Sequence, residues 1–392
     1  VVETDAGVFF VSGALPGERV RIAPEGKKRR RRGARRARLL SIVEPSDERV
    51  EAPCEIQGRC GGCPLMILSH EAQKAHKARA ASDATGLEVS IATVGEPLGY
   101  RRRARLAVAE GRLGYRHPRS KRIVDVARCP VLQAPLEEAL DTLRRGLLSL
   151  WAGEGELFLA RGEEGRVVAW IRTETPQPAD LYQVLRDEVS GGRLAGVSLS
   201  VGGAAPAVIG DPREVTEGAD GEPLVGPAFG FSQANAVVNR ALAERVLALA
   251  EPEGQRVLEL YAGHGNLSVC LAPRARSFVA VEQSEAAASA CRDNLARREL
   301  NGRVIAADAA SGARHGEADV VVLDPPRKGA REALGAIVAA RPKRIVYVSC
   351  DLATLKRDLG ELRSAGFAVR EAFAFDMFPQ TAHLETVVLL GV

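Results

Sequence analysis

A doubly wound α/β fold is predicted for the C-terminal half of this chain, and two observations predict it. Strand-like apolar runs recur between helical patterns from about residue 229 onward, at the spacing of βαβ units. Acidic or glycine-rich turns follow the first four of those runs, which is where open α/β sheets bind ligands. A third observation, short alternating runs before residue 47, predicts a small β-barrel at the other end.

The first 47 residues carry turn signals at Gly7, Gly13, Pro16 and Gly17, and the runs VFFVSGALPGERVRI and ARLLSIVEP read as short strands. Barrels of this OB type commonly bind oligonucleotides, although a purely structural β domain has the same pattern. Between the strands, Lys27 to Arg38 holds nine cations and no acid; taking these from the net charge of +4 leaves about −5 for the rest. Such a block repels itself, so a mobile loop is expected, serving either solubility or the capture of nucleic-acid phosphates.

Residues 48–228 read as a mixed α+β central domain. A cysteine cluster opens it, a polar helix is expected from Ser69 to Ala84, and strands over 103–108, 112–115 and 165–171 flank a helix from Pro135 to Trp151. In residues 229–392 the expected strands are 256–260, 278–281, 303–306, 320–323 and 344–348, closed by an antiparallel hairpin of 369–375 and 386–390. With 46% hydrophobic and 27% charged residues and no run of eighteen apolar residues, the chain reads as globular and spans no membrane. Absence of a charged-then-apolar leader at Val1 suggests a cytoplasmic protein. Seven cysteines, an odd number, argue against a disulfide framework. Cys270 and Cys291 lie on apolar helical faces, as packing residues do.

The motifs narrow the chemistry. After the first C-terminal strand comes Tyr261-Ala262-Gly263-His264-Gly265-Asn266, with Ser268 where a dinucleotide fingerprint carries its third glycine. A cofactor lacking pyrophosphate suits that turn, and Glu282, nineteen residues past Gly263, is placed for ribose hydroxyls. S-adenosylmethionine meets both conditions. Asp308 follows strand three and Asp324-Pro325-Pro326-Arg327 follows strand four. Cys350 ends the fifth strand and Glu385 ends the motif Asp376 to Glu385. Uracil C5 is a weak nucleophile; a thiolate adding at C6 would make it an enolate, and a carboxylate would then remove the C5 proton. The dipole of the following helix, expected over 352–362, is predicted to favour the Cys350 thiolate. Taken singly, Cys350 could be a buried strand-end cysteine and Glu385 a surface carboxylate on an edge strand. Cys54, Cys60 and Cys63 form C-x5-C-x2-C, with Cys129 following in Ala127 to Pro130; four such thiols suit zinc or an iron–sulfur cluster.

On Phe231 to Asn235, Gly263 to Asn266, Asp324 to Gly329, Val348 to Cys350 and Asp376 to Glu385, the chain resembles the bacterial S-adenosylmethionine-dependent RNA uracil-5-methyltransferases, most closely their iron–sulfur-containing ribosomal RNA branch. The resemblance covers nearly the whole chain. It implies a TRAM-type OB barrel over 1–47, a central domain with a cluster over 48–228, and a Rossmann-like methyltransferase domain over 229–392. It implies Cys350 as nucleophile and Glu385 as base, with Gln233, Tyr261, Gly263, Gly265, Asn266, Glu282, Asp308 and Asp324 around cofactor and reacting base. Cys54, Cys60, Cys63 and Cys129 would hold a [4Fe–4S] cluster in a structural role. Asp351-Leu352 stands where the family carries Asn-Pro, and Tyr261-Ala262 where Phe-Cys is common. The expected function is methylation of a uridine in structured RNA, with large-subunit ribosomal RNA as the expected substrate, by a monomer. Transfer RNA as substrate, cytosine-5 methylation and a non-catalytic RNA-binding role are the alternatives; Arg327, where cytosine enzymes carry a cysteine after the proline, disfavours the second.

Overall fold

The computed structural model describes residues 1–4, 7–25, 35–92, 94–314 and 317–392. Val2–Thr4, Gly7–Val11, Arg19–Pro24 and Arg35–Glu44 form one four-stranded sheet in the order first, second, fourth, third. Alternation turns Phe9 and Ala37 inward while Phe10 and Leu40 stay exposed. The cationic block splits here: 27–34 lie outside the described residues, and Arg35 to Arg38 open a strand rather than a loop, because Ala37 alternates into the sheet's buried face. Arg49 pairs with Glu18 at 2.5 Å and holds its carboxyl down at about 2, fastening this sheet to the segment that follows.

A seven-stranded sheet occupies the middle of the chain, in the order Ala207–Gly210, Leu194–Val201, Val167–Thr173, Gly155–Arg161, Arg103–Ala109, Arg112–Arg116, Ile123–Asp125. The helix Ala134–Leu147 covers one face because Leu136, Leu140, Leu143 and Leu147 recur at helical spacing and are all buried. They pack with Leu106, Leu157, Leu159 and Ile171, and Leu181 and Leu185 of the helix Ala179–Ser190 complete that core. The expected helix end at Trp151 falls at Leu147 instead.

An eight-stranded sheet forms the C-terminal half, in the order Arg303–Ala306, Ser277–Glu282, Arg256–Leu260, Val320–Leu323, Arg344–Ser349, Glu385–Gly391, Ala368–Phe375, Ile91–Ala92. The first five strands are parallel and Glu385–Gly391 runs antiparallel to its neighbours. Strand order reverses between Arg256–Leu260 and Val320–Leu323, so a crevice opens past their carboxyl ends. All four residues of Val320–Leu323 are buried, as a strand covered on both faces requires. Each such side chain contributes about 1.5–3 kcal/mol.

Segment 70–92 reaches across to this sheet. Ile91 and Ala92 pair with Ala374 and Phe375, and Ala81 of the helix His70–Thr85 packs with Val89, Ala374 and Leu384. Among the described residues, no helix is long and apolar enough to cross a membrane.

Candidate active site

The cofactor side of the crevice is built from backbone turns. After Arg256–Leu260 the chain enters left-handed conformations at Tyr261 (φ 63°), Gly263 (φ 58°) and Gly265 (φ 99°). Gly265 is doubly constrained, since a Cβ there would lie 3.1 Å from Cys291 Sγ. Gly263 N–H donates to Glu282 Oε2 at 3.0 Å and Ser284 N–H to Oε1 at 2.8 Å, which fixes the Glu282 carboxylate at the end of its strand. Beneath the loop, Glu259 accepts from Ser268 Oγ at 2.6 Å, and burial pushes its carboxyl up to about 8. The residue replacing the third glycine thus satisfies a buried acid.

Three expected cofactor residues have other partners. Asn266 exchanges two hydrogen bonds with Asn239, at 2.8 and 2.9 Å, tying the loop to the helix Ala236–Ala250. Asp308 is exposed and gives both carboxylate oxygens to Ser311, accepting from its N–H at 2.9 Å and its hydroxyl at 2.8 Å. Gln233 is buried, its backbone carbonyl held by Arg102 Nε at 2.7 Å, while its side-chain Oε1 has no partner among the described residues. A buried acceptor of that kind is a group that awaits a donor.

The thiol and carboxylates meet on neighbouring strand ends. Ser349 pairs with Thr386, so Cys350 lies one step further along, beside Glu385. Asp324 follows the next strand over. Burial, then Glu385 and Asp324, push the Cys350 thiol up to about 12 against the opposing pull of Arg327. Burial raises Asp324 to about 7, and burial together with Asp324 raises Glu385 well above the carboxylate range. Glu385 is buried in an interior strand, not on an exposed edge, and its Oε2 has no partner among the described residues.

The expected dipole effect on Cys350 is overturned. Asp351 caps the helix Leu352–Ser364, accepting from Ala353 and Thr354 N–H at 3.1 and 2.9 Å, so its own carboxylate takes the donors the thiolate would have used. Desolvation and two neighbouring acids then decide the thiol's pKa.

Asp376, which opens the loop leading to Glu385, accepts from Lys77 Nζ at 2.5 Å in a buried ion pair. Sequence reasoning passed over Lys77 and Gln73; their signal was two long polar side chains four apart on a helix that turns both toward the interior.

Cys54, Cys60 and Cys63 are half-buried, Cys129 is buried, and all are free thiols. Burial raises Cys63 to about 12, and Cys129, Cys60 and Cys54 each add to the rise, which places the four in electrostatic reach of one another. Gly61 N–H donates to Arg116 carbonyl at 3.1 Å and lays the segment on the central sheet. Among the described residues, however, no three or more His, Cys, Asp or Glu side chains converge as a metal-holding set. The expected ligand set is therefore gathered without closing. The donor chemistry suits a thiophilic centre, because a metal relieves the repulsion that keeps crowded thiols protonated.

A parallel sheet with a reversed strand order, a glycine turn held to an acid after strand two, and an acid after strand four define an α/β methyltransferase. The family model described as "Methyltransferase small domain" matches residues 237–344, and that described as "tRNA (Uracil-5-)-methyltransferase" matches 313–392. The 23S rRNA (uracil(1939)-C(5))-methyltransferase RlmD of Alkalilimnicola ehrlichii is 37% identical over 99% of this chain and 93% of its own length. That of Chromohalobacter salexigens is 38% identical over 97% and 84%. The chain belongs to the RNA uracil-C5-methyltransferase family. A solved tRNA (uracil-54, C5)-methyltransferase of Pyrococcus abyssi, in complex with S-adenosyl-L-homocysteine, shares the fold at a TM-score of 0.80 and 24% identity, covering 98% of this chain and 96% of that one.

Proposed function

We propose that this chain methylates C5 of a uridine in large-subunit ribosomal RNA, using S-adenosylmethionine and a covalent Cys350 adduct. The observation that carries the reading is the placement of Cys350, Asp324 and Glu385 on adjacent strand ends beside the glycine turn. Relatives of 37% and 38% identity, named for 23S rRNA, support the substrate class.

The methyl donor supplies an electrophilic carbon; the chain's residues do the rest. Gly263, Gly265, Tyr261 and Glu282 hold the donor, with Asn266 and Asp308 shaping the turns behind it. A neighbouring carboxylate takes the Cys350 proton as the Sγ–C6 bond forms, and C5 becomes nucleophilic. Once C5 has gained its methyl group, Glu385 removes the C5 proton. The electron pair re-forms the C5–C6 double bond and expels Sγ. A pKa of about 7 suits Asp324 to proton transfer near neutrality, and burial with the Asp324 charge makes Glu385 a stronger base than an ordinary carboxylate. Gln233 Oε1, buried and without a partner among the described residues, would accept from the uracil N–H.

Residues 1–47 would form an RNA-binding barrel, 48–228 a central domain and 229–392 the catalytic domain, acting as a cytoplasmic monomer. Cys54, Cys60, Cys63 and Cys129 would hold a [4Fe–4S] cluster that shapes structure, since methyl transfer moves no net electron. Equimolar iron and sulfide, about four of each per chain, in anaerobically purified protein supports that assignment, and stoichiometric zinc overturns it.

The deciding experiment supplies labelled S-adenosylmethionine with unmodified ribosomal and transfer RNA and maps the labelled nucleoside. Label in 5-methyluridine of 23S rRNA is expected; label confined to transfer RNA overturns the substrate, and cofactor binding without label overturns the activity. Cys350→Ala should abolish turnover, and Glu385→Gln should accumulate a protein–RNA adduct.

A further inference from the structure

The loop between the strand Ala368–Phe375 and the strand Glu385–Gly391 ends on the base, yet its shape is imposed by a distant part of the chain. Gln380 sits at φ 71°, a left-handed conformation that is unfavourable for a long side chain unless its surroundings hold it. They do. Gln380 N–H donates to Gln73 Oε1 at 2.9 Å, and Gln73 Nε2 donates to Gln380 Oε1 at 2.9 Å, so one carboxamide grips both backbone and side chain. Leu65 N–H donates to the Gln380 carbonyl at 3.0 Å, two residues after Cys63.

Further bonds from the same segment run along the loop. Lys77 Nζ reaches Asp376 Oδ1 at 2.5 Å and the Phe378 carbonyl at 3.2 Å, and Tyr100 hydroxyl donates to the Pro379 carbonyl at 3.1 Å. Gln73 is 1% exposed and Gln380 7%, so the paired groups have no water to replace a lost partner. Leu384, immediately before Glu385, packs on Ala81 of the helix that carries Gln73. The clamp and the packing together link this helix to the backbone on which the base stands.

We propose that Gln73 is a positioning residue for the reaction: by clamping Gln380 it holds the loop of residues 376–384 so that Glu385 is aimed at the C5 proton. The inference rests on the reading of Glu385 as the base. Removing Gln73 slows the last step, departure of the thiol from C6, more than the methyl transfer that precedes it. A purely structural role would slow both together.

The test compares Gln73→Leu, Gln380→Asn and Glu385→Gln in full-length protein given RNA and labelled S-adenosylmethionine. Turnover is followed beside the amount of methylated RNA that migrates covalently with protein under denaturing conditions. Gln380→Asn tolerates the left-handed backbone but withdraws its carboxamide from Gln73, and so tests the clamp should Gln73→Leu misfold. The expected result is a fall in turnover of about tenfold or more in both clamp variants, with adduct accumulating and S-adenosylhomocysteine affinity within about twofold of the parent. Adduct in Glu385→Gln but in neither clamp variant overturns the inference alone. Its absence from Glu385→Gln removes the base reading and the inference with it.

Discussion

Single residues in this protein do chemistry that their types do not announce. The Cys350 thiol is pushed up to about 12 by burial and by the charges of Glu385 and Asp324. Asp324→Asn removes one of those charges, so the pH midpoint for alkylation of Cys350 in the free enzyme should move down by about one pH unit or more. An unmoved midpoint would separate the two groups electrostatically. Glu259 makes a stability prediction. Its carboxyl rises from 4.5 to about 8 in the folded state, so the native protein binds the proton more tightly than the unfolded chain. Stability therefore falls as pH rises from about 4.5 to about 8, by several kcal/mol at most, and then levels off. Glu259→Gln keeps a partner for Ser268 and should melt higher than the parent at pH 8 but not at pH 4.5.

At the scale of elements, the glycine turn and the strand ends divide the work. Gly265→Ala places a side chain at φ 99° and within 3.1 Å of Cys291 Sγ, so S-adenosylhomocysteine affinity should fall about tenfold or more, read by calorimetry. Strands such as Val320–Leu323 were legible in the sequence because a strand buried on both faces must be an unbroken apolar run. The helix Ala134–Leu147 was legible from its leucines, although its end was not, since Leu148 continues in helical backbone as a cap. The sequence reading of Cys350 differs from the structure for a physical reason: dipole arguments count a helix's free N–H groups, and Asp351 takes two of them while desolvation and two acids raise the thiol. Asn266 and Asp308 stand in the turns after the first and third strands of the catalytic sheet's sequence order, and their hydrogen-bond partners there are Asn239 and Ser311, which sequence spacing alone does not select.

The molecule as a whole joins an extremely basic N-terminal stretch to a catalytic sheet. Replacing the cations of Lys27 to Arg38 by serine and glycine should weaken RNA binding and flatten the slope of log affinity against log salt, leaving S-adenosylhomocysteine binding unchanged. An unaltered salt slope would take the block out of the RNA interface. The segment from 65 to 100 ties the cysteine region to the loop before Glu385 through Gln73, Lys77, Tyr100 and the short strand Ile91–Ala92. A boundary at residue 228 suits the sequence pattern, yet this earlier segment contributes a strand and a helix to the catalytic sheet.

The sequence by itself determined the local elements and the chemical inventory: apolar periodicity set the strands and helices, and the motifs placed a thiol, a glycine turn and four acids at strand ends. Tertiary structure alone decided which of those groups face each other and at what protonation state, because pairing across hundreds of residues and removal from water are properties of the packed sheet. Gln73 meeting Gln380 is the clearest instance. Neither glutamine has any local reason to be special, and the clamp exists only where two distant segments exclude solvent together.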